Sequence, residues 1–331
     1  MQTVLVTGGA GYVGSHTCLR LAEAGFQPVV FDSLINGHAE FVQWGPLEIG
    51  DIRQTGRLDA VFNKYKPVAV LHFAALIEVG ESVRQPGRFY DNNVAGAVSL
   101  IEASRRAGVK AFVFSSTCAT YGDPQGGPMD ETHPQAPLNP YGRTKLMVEQ
   151  VLRDLDRYNG FRSIALRYFN AAGADPEGRI GERHTPETHA IPLAIRAAMD
   201  AGHSFKMFGE DYPTPDGTAV RDYVHVLDLA DAHVLALKRL LAGGGSDVFN
   251  LGTGTGTSVR ELVEAIRRTT KAPFEVERAP RREGDAPLLV ADNTKAREIL
   301  GWSPKYDFDS IIQTAWAWHK AEAVRALRAA E

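Results

Sequence analysis

The tightest constraint on this chain lies in its first sixteen residues. Residues 3–7 (TVLVT) lead directly into TGGAGYVGSH, residues 7–16, where Gly8, Gly11 and Gly14 recur at every third position. A short apolar run closed by glycines reads as a buried parallel strand. The glycines permit a tight turn and let the backbone approach a pyrophosphate, which then sits at the N-terminus of the following helix. An acidic residue follows at a matching distance: Asp32 ends a second strand, residues 28–32 (PVVFD), 18 positions after Gly14. A carboxylate there accepts hydrogen bonds from adenosine ribose hydroxyls and repels a 2′-phosphate, so the cofactor reading is NAD rather than NADP. A turn cap is the weaker account of Asp32. Asp51, after the third strand, stays open between a bond to the adenine amino group and an ordinary turn residue.

Further strands are expected at residues 47–50, 68–75, 111–115 and 162–168, and helices at 11–24, 54–66, 88–107 and 141–159. Strands alternating with helices of that length predict an α/β fold built on a doubly wound parallel sheet of the Rossmann type. Past residue 170 the rhythm breaks into loops rich in Gly, Pro, Thr and Asp, notably residues 209–226 (GEDYPTPDGTAVRDYVHV). The expected division is a dinucleotide-binding domain over residues 1–172 and a second, smaller α/β substrate-binding lobe over 173–331, with segments returning to the first. A second glycine-rich segment, residues 251–261 (LGTGTGTSVRE), carries Ser258 and Glu261 in a capping-box spacing. It reads as a loop entering a capped helix rather than another nucleotide loop. Ile312 and Trp316, at i and i+4 of a last helix over 309–330, read as packing residues.

Composition narrows the function. In 331 residues, 44% hydrophobic, the formal net charge is −4 and no long Lys/Arg run appears, which argues against a nucleic-acid-binding surface. Clustered arginines remain able to bind a small anion. Two cysteines, Cys18 and Cys118, predict neither disulfide dependence nor a zinc cluster. His184 and His189 read as polar loop residues lacking thiol or carboxylate partners at ligand spacing, so no metal is expected. With no membrane-length apolar stretch and no leader pattern, the expectation is a soluble cytoplasmic protein.

The candidate chemistry lies in NPYGRTK, which holds Tyr141 and Lys145, downstream of FSST, residues 114–117. Positions i and i+4 share a helix face, so the Lys145 ammonium can approach the Tyr141 phenol. Holding a useful phenolate fraction near neutrality takes roughly three pKa units, or about 4 kcal/mol, of differential stabilisation. A nearby lysine and a cationic nicotinamide ring are neighbours able to supply it.

The chain resembles the extended short-chain dehydrogenase/reductases and, among them, the UDP-glucose 4-epimerases. The resemblance spans essentially the whole length through TGGAGYVGSH, HFAALIEVGES (72–82), YDNNVAG (90–96), FSST, NPYGRTK, RYFNAAGA (167–174), FGEDYPTPDGTAVRDYVHVLDLA (208–230) and RREGD (281–285). The most specific of these is DYPTPDGTAVRDYVHV. The resemblance implies Tyr141 as base, Lys145 as its partner and Thr117 as the hydroxyl bonding the sugar 4′-oxygen. Tyr12, Val13, Asn36, Ile52, Phe73, Ala74, Ala75, Asn92 and Ser115 would join Gly8, Gly11, Gly14, Asp32 and Asp51 around NAD, with Tyr168 close to the nicotinamide. Asn170, His189, Ala190, Lys206, Met207, Phe208, Arg221, Arg282, Asp285 and Leu289 would hold the UDP-sugar. It further implies a homodimer paired through the helices at 88–107 and 141–159.

There are departures from the pattern. Ile77 stands where some relatives carry a lysine touching the cofactor, Thr117 replaces a serine but keeps the hydroxyl, and His189 replaces an asparagine. Leu289 occupies a position that is tyrosine in strict UDP-glucose/galactose enzymes and smaller in those taking N-acetylated sugars. The expected reaction is C4 epimerisation of UDP-glucose and UDP-galactose through a transient 4-keto sugar and NADH. The alternatives are an epimerase of UDP-N-acetylhexosamines or another UDP-sugar, and a non-catalytic NAD-binding regulator. A 4,6-dehydratase is disfavoured, because Cys118 and Ala119 stand where that chemistry places Asp-Glu.

Overall fold

Short apolar runs alternating with amphipathic helices build the central sheet. In a computed structural model that describes residues 1–330 except 123, 125, 201 and 283–285, the strands run from β1 (Gln2–Thr7) through β2 (Phe26–Asp32), β3 (Leu47–Ile49), β4 (Ala69–His72) and β5 (Ala111–Thr117) to β6 (Ser163–Tyr168). Helices α1 (Tyr12–Glu23), α2 (Thr55–Tyr65), α3 (Val79–Arg84), α4 (Pro86–Phe89), α5 (Gly96–Arg106) and α6 (Pro140–Asn159) alternate with them. All pairings within the central sheet are parallel. Val4, Leu5 and Val6 on β1 and Phe112 and Val113 on β5 are fully buried, as a sheet covered on both faces requires.

The predicted helix over 88–107 is interrupted. A wider π-helical turn, Tyr90–Ala95, separates α4 from α5. Within it the buried Asn93 side chain accepts from Leu76 N and donates to Leu76 O and to Thr144 Oγ1, which ties the turn to the loop after β4 and to α6.

Beyond β6 the chain forms β7 (Asn170–Ala172), α7 (Ala190–Met199), β8 (Phe205–Phe208), β9 (Val220–Arg221), β10 (Tyr223–His225), α8 (Val226–Leu241), β11 (Asp247–Leu251), β12 (Thr257–Ser258), α9 (Val259–Thr270), β13 (Val276–Ala279), β14 (Leu288–Leu289) and α10 (Phe308–Ala330). Strand β11 returns to the main sheet and pairs with β6, giving the order β11-β6-β5-β4-β1-β2-β3. Helix α8 packs with α1 against one sheet face, through Leu229, Val234 and Leu237. Helices α2, α5 and α6 cover the other. Strand order reverses between β1 and β4, the point where a doubly wound sheet opens a crevice at its carboxyl edge.

The remaining strands form small sheets around a core that includes Ile195, Ile266, Ile311 and Ile312, with Trp316 packed against it. The second glycine-rich loop wraps a carboxylate. Fully buried Asp222 accepts from the main-chain N–H groups of Thr253, Gly254 and Ala291. The loop then enters α9 through the Ser258–Glu261 capping box, as its sequence predicted. Cys18 and Cys118 are buried and free.

One polar network crosses the sheet. Glu149 on α6 receives Arg167 Nε at 2.9 Å and Nη2 at 2.6 Å, and Ser116 Oγ at 2.5 Å. Arg167 Nη1 donates to Tyr121 Oη at 2.9 Å, and that hydroxyl donates to Asn250 Oδ1 on β11 at 2.6 Å. Both ion-pair partners are 3% exposed. Removing one partner strands the other charge out of water, so Glu149→Ala should destabilise the fold by about 3–5 kcal/mol, read as a lowered urea midpoint. A loss below about 1 kcal/mol would show that the pair is not a structural tie.

Candidate active site

The glycine loop has no room for side chains. Gly8 has φ 76°, and a Cβ there would stand 2.5 Å from Ala74 N; one on Gly14 would stand 2.2 Å from Gly8 O. Gly11 caps α1 without a side-chain hydrogen bond. The first-turn N–H groups of α1 therefore have no side-chain acceptor at the cap, the arrangement that accepts a phosphate. Asp32 Oδ2 accepts Ala10 N at 3.0 Å and Oδ1 accepts Leu34 N at 2.9 Å, which ties the end of β2 to the loop. Burial pushes its carboxyl pKa up. These residues fit a dinucleotide.

The other expected cofactor residues sort by position. Phe73 and Ala74 both donate main-chain N–H to Thr7 O at the switch point, and Ala75 follows half-buried. Ile52 is buried against Gly96, and Asn36 is exposed in the loop after Asp32. Asn92 donates to Asn93 Oδ1 in the π-helical turn. The Tyr12 hydroxyl donates to Gly173 O at 2.6 Å, and Val13 packs into the core beneath α1. Asp51 Oδ1 accepts N and Nε of Arg53, both at 2.9 Å, and Arg53 also pairs with Asp91. In this structure its carboxylate is thus engaged in a turn and an ion pair.

Tyr141, Lys145 and Thr117 come together as α6 meets the end of β5. Asn139 caps α6 by accepting Gly142 N, which sets Tyr141 in the first turn and Lys145 one turn later. The Thr117 hydroxyl lies beside the Tyr141 phenol and favours its ionised form, and Thr117 Oγ1 accepts Ala119 N. Lys145 lies over the Tyr141 ring, on the helix face that the spacing predicts. Lys145 Nζ donates to Ser115 O at 2.8 Å and lies 6.0 Å from the Tyr141 ring centroid. Burial dominates both groups. It pushes the phenol up to about 12 and the lysine down to about 7, the latter against the pull of Glu149. Ser115 and Tyr168 share a hydrogen bond, and the Tyr168 ring packs against His233.

Sequence reasoning overlooked Glu78. Its Oε2 is buried without a hydrogen-bond partner, and its charge raises the Tyr141 pKa. The only local signal was an acid inside an otherwise apolar segment, HFAALIEVG.

The expected substrate residues are spread over the strands and loops beyond β6. Asn170 on β7 reaches Asp222 O at 3.4 Å. Leu289 stands in register with Arg221 and packs against a cluster that includes Cys118, Tyr121 and Phe169, next to Thr117. Arg221 Nη1 donates to Val220 O, and the Arg282 guanidinium stacks 3.9 Å from the Phe208 ring centroid. Met207 faces inward to the second core, whereas Lys206 is exposed beside Glu277. Asp285 lies outside the described residues. Ala190 opens α7 and His189 caps it.

The reading of His184 and His189 is corrected: both face carboxylates. His189 Nδ1 lies 3.0 Å from Glu182 Oε1 and from Glu187 Oε1. The loop folds back so that acids two to seven residues away converge on the imidazoles, and those carboxylates hold His189 up at about 10.

Residues 4–252 match the NAD dependent epimerase/dehydratase family. Over 318 residues the chain is 65% identical to a UDP-glucose 4-epimerase of Rhizobium leguminosarum bv. trifolii, covering 96% of this chain and 97% of that one. Its structure superposes on that of a UDP-glucose 4-epimerase from Brucella ovis in complex with NAD, with TM-score 0.93, 51% identity, and 96% and 98% of the two chains covered. A UDP-glucose 4-epimerase from Bifidobacterium longum in complex with NAD+ and UDP superposes with TM-score 0.92 at 34% identity, covering 97% and 99%. The glycine cradle, the neighbouring Tyr141 and Thr117 hydroxyls and this full-length similarity place the chain in the NAD dependent epimerase/dehydratase family, among the UDP-glucose 4-epimerases.

Proposed function

We propose that this chain interconverts UDP-glucose and UDP-galactose by inverting C4 of the hexose, with NAD as its cofactor. The observation that carries the reading is the neighbouring hydroxyls of Tyr141 and Thr117 at the end of β5, on a chain that also carries the glycine cradle, with buried Lys145 one turn along α6. NAD bound over the Gly8–Gly14 loop supplies reversible hydride acceptance from C4, which makes the centre planar as a 4-keto sugar.

The chain's own residues move the proton. Tyr141 takes the 4′-hydroxyl proton, relayed by Thr117, holds it, and returns it on completion. Glu78 sets how readily it does so, since its carboxylate opposes ionisation of the phenol, while Lys145 backs the site from the same face of α6. The Cys118–Ala119 pair after Thr117 offers no acid for elimination of water, so the sugar returns as an epimer.

Inversion requires a loosely held hexose on a firmly held diphosphate. Arg221 and Arg282 are placed for the anchor, since guanidinium forks match phosphate oxygens. Asn170, His189, Ala190, Phe208, Asp285 and Leu289 complete the nucleotide-sugar site, with Lys206 and Met207 contributing backbone. Residues 173–331 form the substrate-binding lobe, apart from the returning α8 and β11. The chain pairs as a homodimer through α5 and α6, where Val98 and Met147 remain exposed. Among the described residues no helix is long and apolar enough to cross a membrane, and we place the reaction in the cytoplasm.

A second reading, turnover of N-acetylated UDP-sugars, is favoured by half-buried Leu289, which is smaller than a tyrosine and adjoins the Thr117–Cys118 segment.

Three outcomes test these assignments. Purified protein given UDP-galactose without added NAD should form UDP-glucose, and Tyr141→Phe should lower the rate by roughly 10²–10⁴-fold; no conversion even with NAD supplied would overturn the reading. Glu78→Gln removes a charge that raises the Tyr141 pKa, so the basic form becomes available earlier. The rising alkaline limb of kcat/KM should move to lower pH, and an unmoved limb would remove Glu78 from the site. Leu289→Tyr should reduce kcat/KM for UDP-N-acetylglucosamine more than for UDP-glucose, and equal losses would exclude Leu289 as a selector.

A further inference from the structure

We infer that Glu182, His184, Glu187 and His189 form a binding site for one divalent transition-metal ion with zinc-like ligand preference. All four lie in the loop between β7 and α7, and one donor atom from each falls within 4.8 Å of the others. The measured separations are 3.0 Å from His189 Nδ1 to Glu182 Oε1 and to Glu187 Oε1, 3.4 Å from His184 Nδ1 to Glu182 Oε1, and 3.6 Å from His184 Nδ1 to Glu187 Oε2. A tetrahedral ion with bonds of about 2.0–2.2 Å separates its ligands by about 3.3–3.6 Å. The four groups thus bring one donor atom each into a space that an ion of this size spans after small side-chain adjustments.

The donor chemistry selects the ion. Two imidazoles and two carboxylates suit zinc and its first-row neighbours, whereas magnesium and calcium take oxygen sets. A second observation points inward. His184 Nδ1 is buried and makes no hydrogen bond, although carboxylate oxygens of Glu182 and Glu187 stand 3.4 and 3.6 Å from it. A buried polar atom left in that state is matched by an ion placed between it and those oxygens.

The surroundings hold the ligands in place. Trp318 Nε1 donates to Glu182 O at 2.9 Å, fixing that residue to α10. Glu187 Oε1 accepts the main-chain N–H of Thr188 at 2.7 Å and of His189 at 2.8 Å, which orients the carboxylate and leaves Oε2 toward His184. The His184 ring meets Tyr12 edge-on, 6.4 Å between centroids, so the site adjoins the start of α1. The assignment stands on this cluster and does not depend on the reaction proposed above.

The test is calorimetric titration of the purified, cofactor-loaded protein with zinc chloride, repeated with manganese and magnesium chlorides. One zinc per chain is expected, with manganese weaker and magnesium silent. His184→Ala and Glu187→Gln should each weaken zinc binding roughly 100-fold or more, since loss of a ligand exceeds the 10–100-fold effect of losing a supporting partner. Glu187→Gln keeps the side-chain shape and an amide oxygen for the loop N–H groups, and unchanged circular dichroism and NAD content would show that both variants are folded. Zinc binding that survives either variant, substoichiometric binding by the wild type, or equal binding of magnesium would overturn the proposal and leave two imidazolium–carboxylate pairs in its place.

Discussion

The buried pair of Glu149 and Arg167 is the tie on which the rest of the site hangs. Three residues of the proposed site lie close to it along the chain. Thr117 follows Ser116, whose hydroxyl bonds Glu149; Lys145 lies one helical turn before Glu149; Tyr168 follows Arg167. A buried ion pair contributes little net stability, because desolvation offsets the attraction. What it fixes here is registry, since the one carboxylate on α6 accepts from Ser116 on β5 and from Arg167 on β6. Tyr121 and Asn250 extend the same constraint to β11.

Burial, rather than mutual attraction, sets the resting charges of the proposed base and its lysine. It raises the phenol and lowers the ammonium, so both are drawn toward their neutral forms. The protein alone does not hold a phenolate. On the proposed reading, the charge that makes Tyr141 basic has to arrive with the cofactor, and proton uptake is confined to the state in which a hydride acceptor is present. Glu78 tightens that condition by opposing ionisation.

Much of this was legible in the sequence because it is local. The first six strands, the glycine loop, Asp32 and the Tyr141–Lys145 helix each announce themselves within a dozen residues. What escaped depends on distant neighbours. Glu149 and Arg167 look like an ordinary helix acid and strand base until β6 is set beside α6. Asp222 reads as one more acid in a loop until the Thr253–Gly254 turn closes over it. The π-helical turn at Tyr90–Ala95 keeps helical periodicity on both sides, so pattern alone does not expose it. Glu182 and Glu187 were in plain view, but only the folded loop reveals that they face His184 and His189. The acceptor of Lys145 is hidden for a different reason: i and i+4 spacing fixes the face it shares with Tyr141, not that its ammonium donates to Ser115 O.

The return of β11 to the sheet bears on how the chain is made. Strand β6 ends at Tyr168, but its outer neighbour β11 begins at Asp247 and comes off the ribosome only after some eighty further residues. At roughly 5–20 residues per second, β6 waits several seconds as an open edge with apolar residues on both faces. α8, which covers α1 and the same sheet face, is delayed with it. The nascent chain thus carries a templating edge midway through synthesis, and a ribosome stalled after β6 has emerged but before β11 has would present that edge to chaperones or to neighbouring copies.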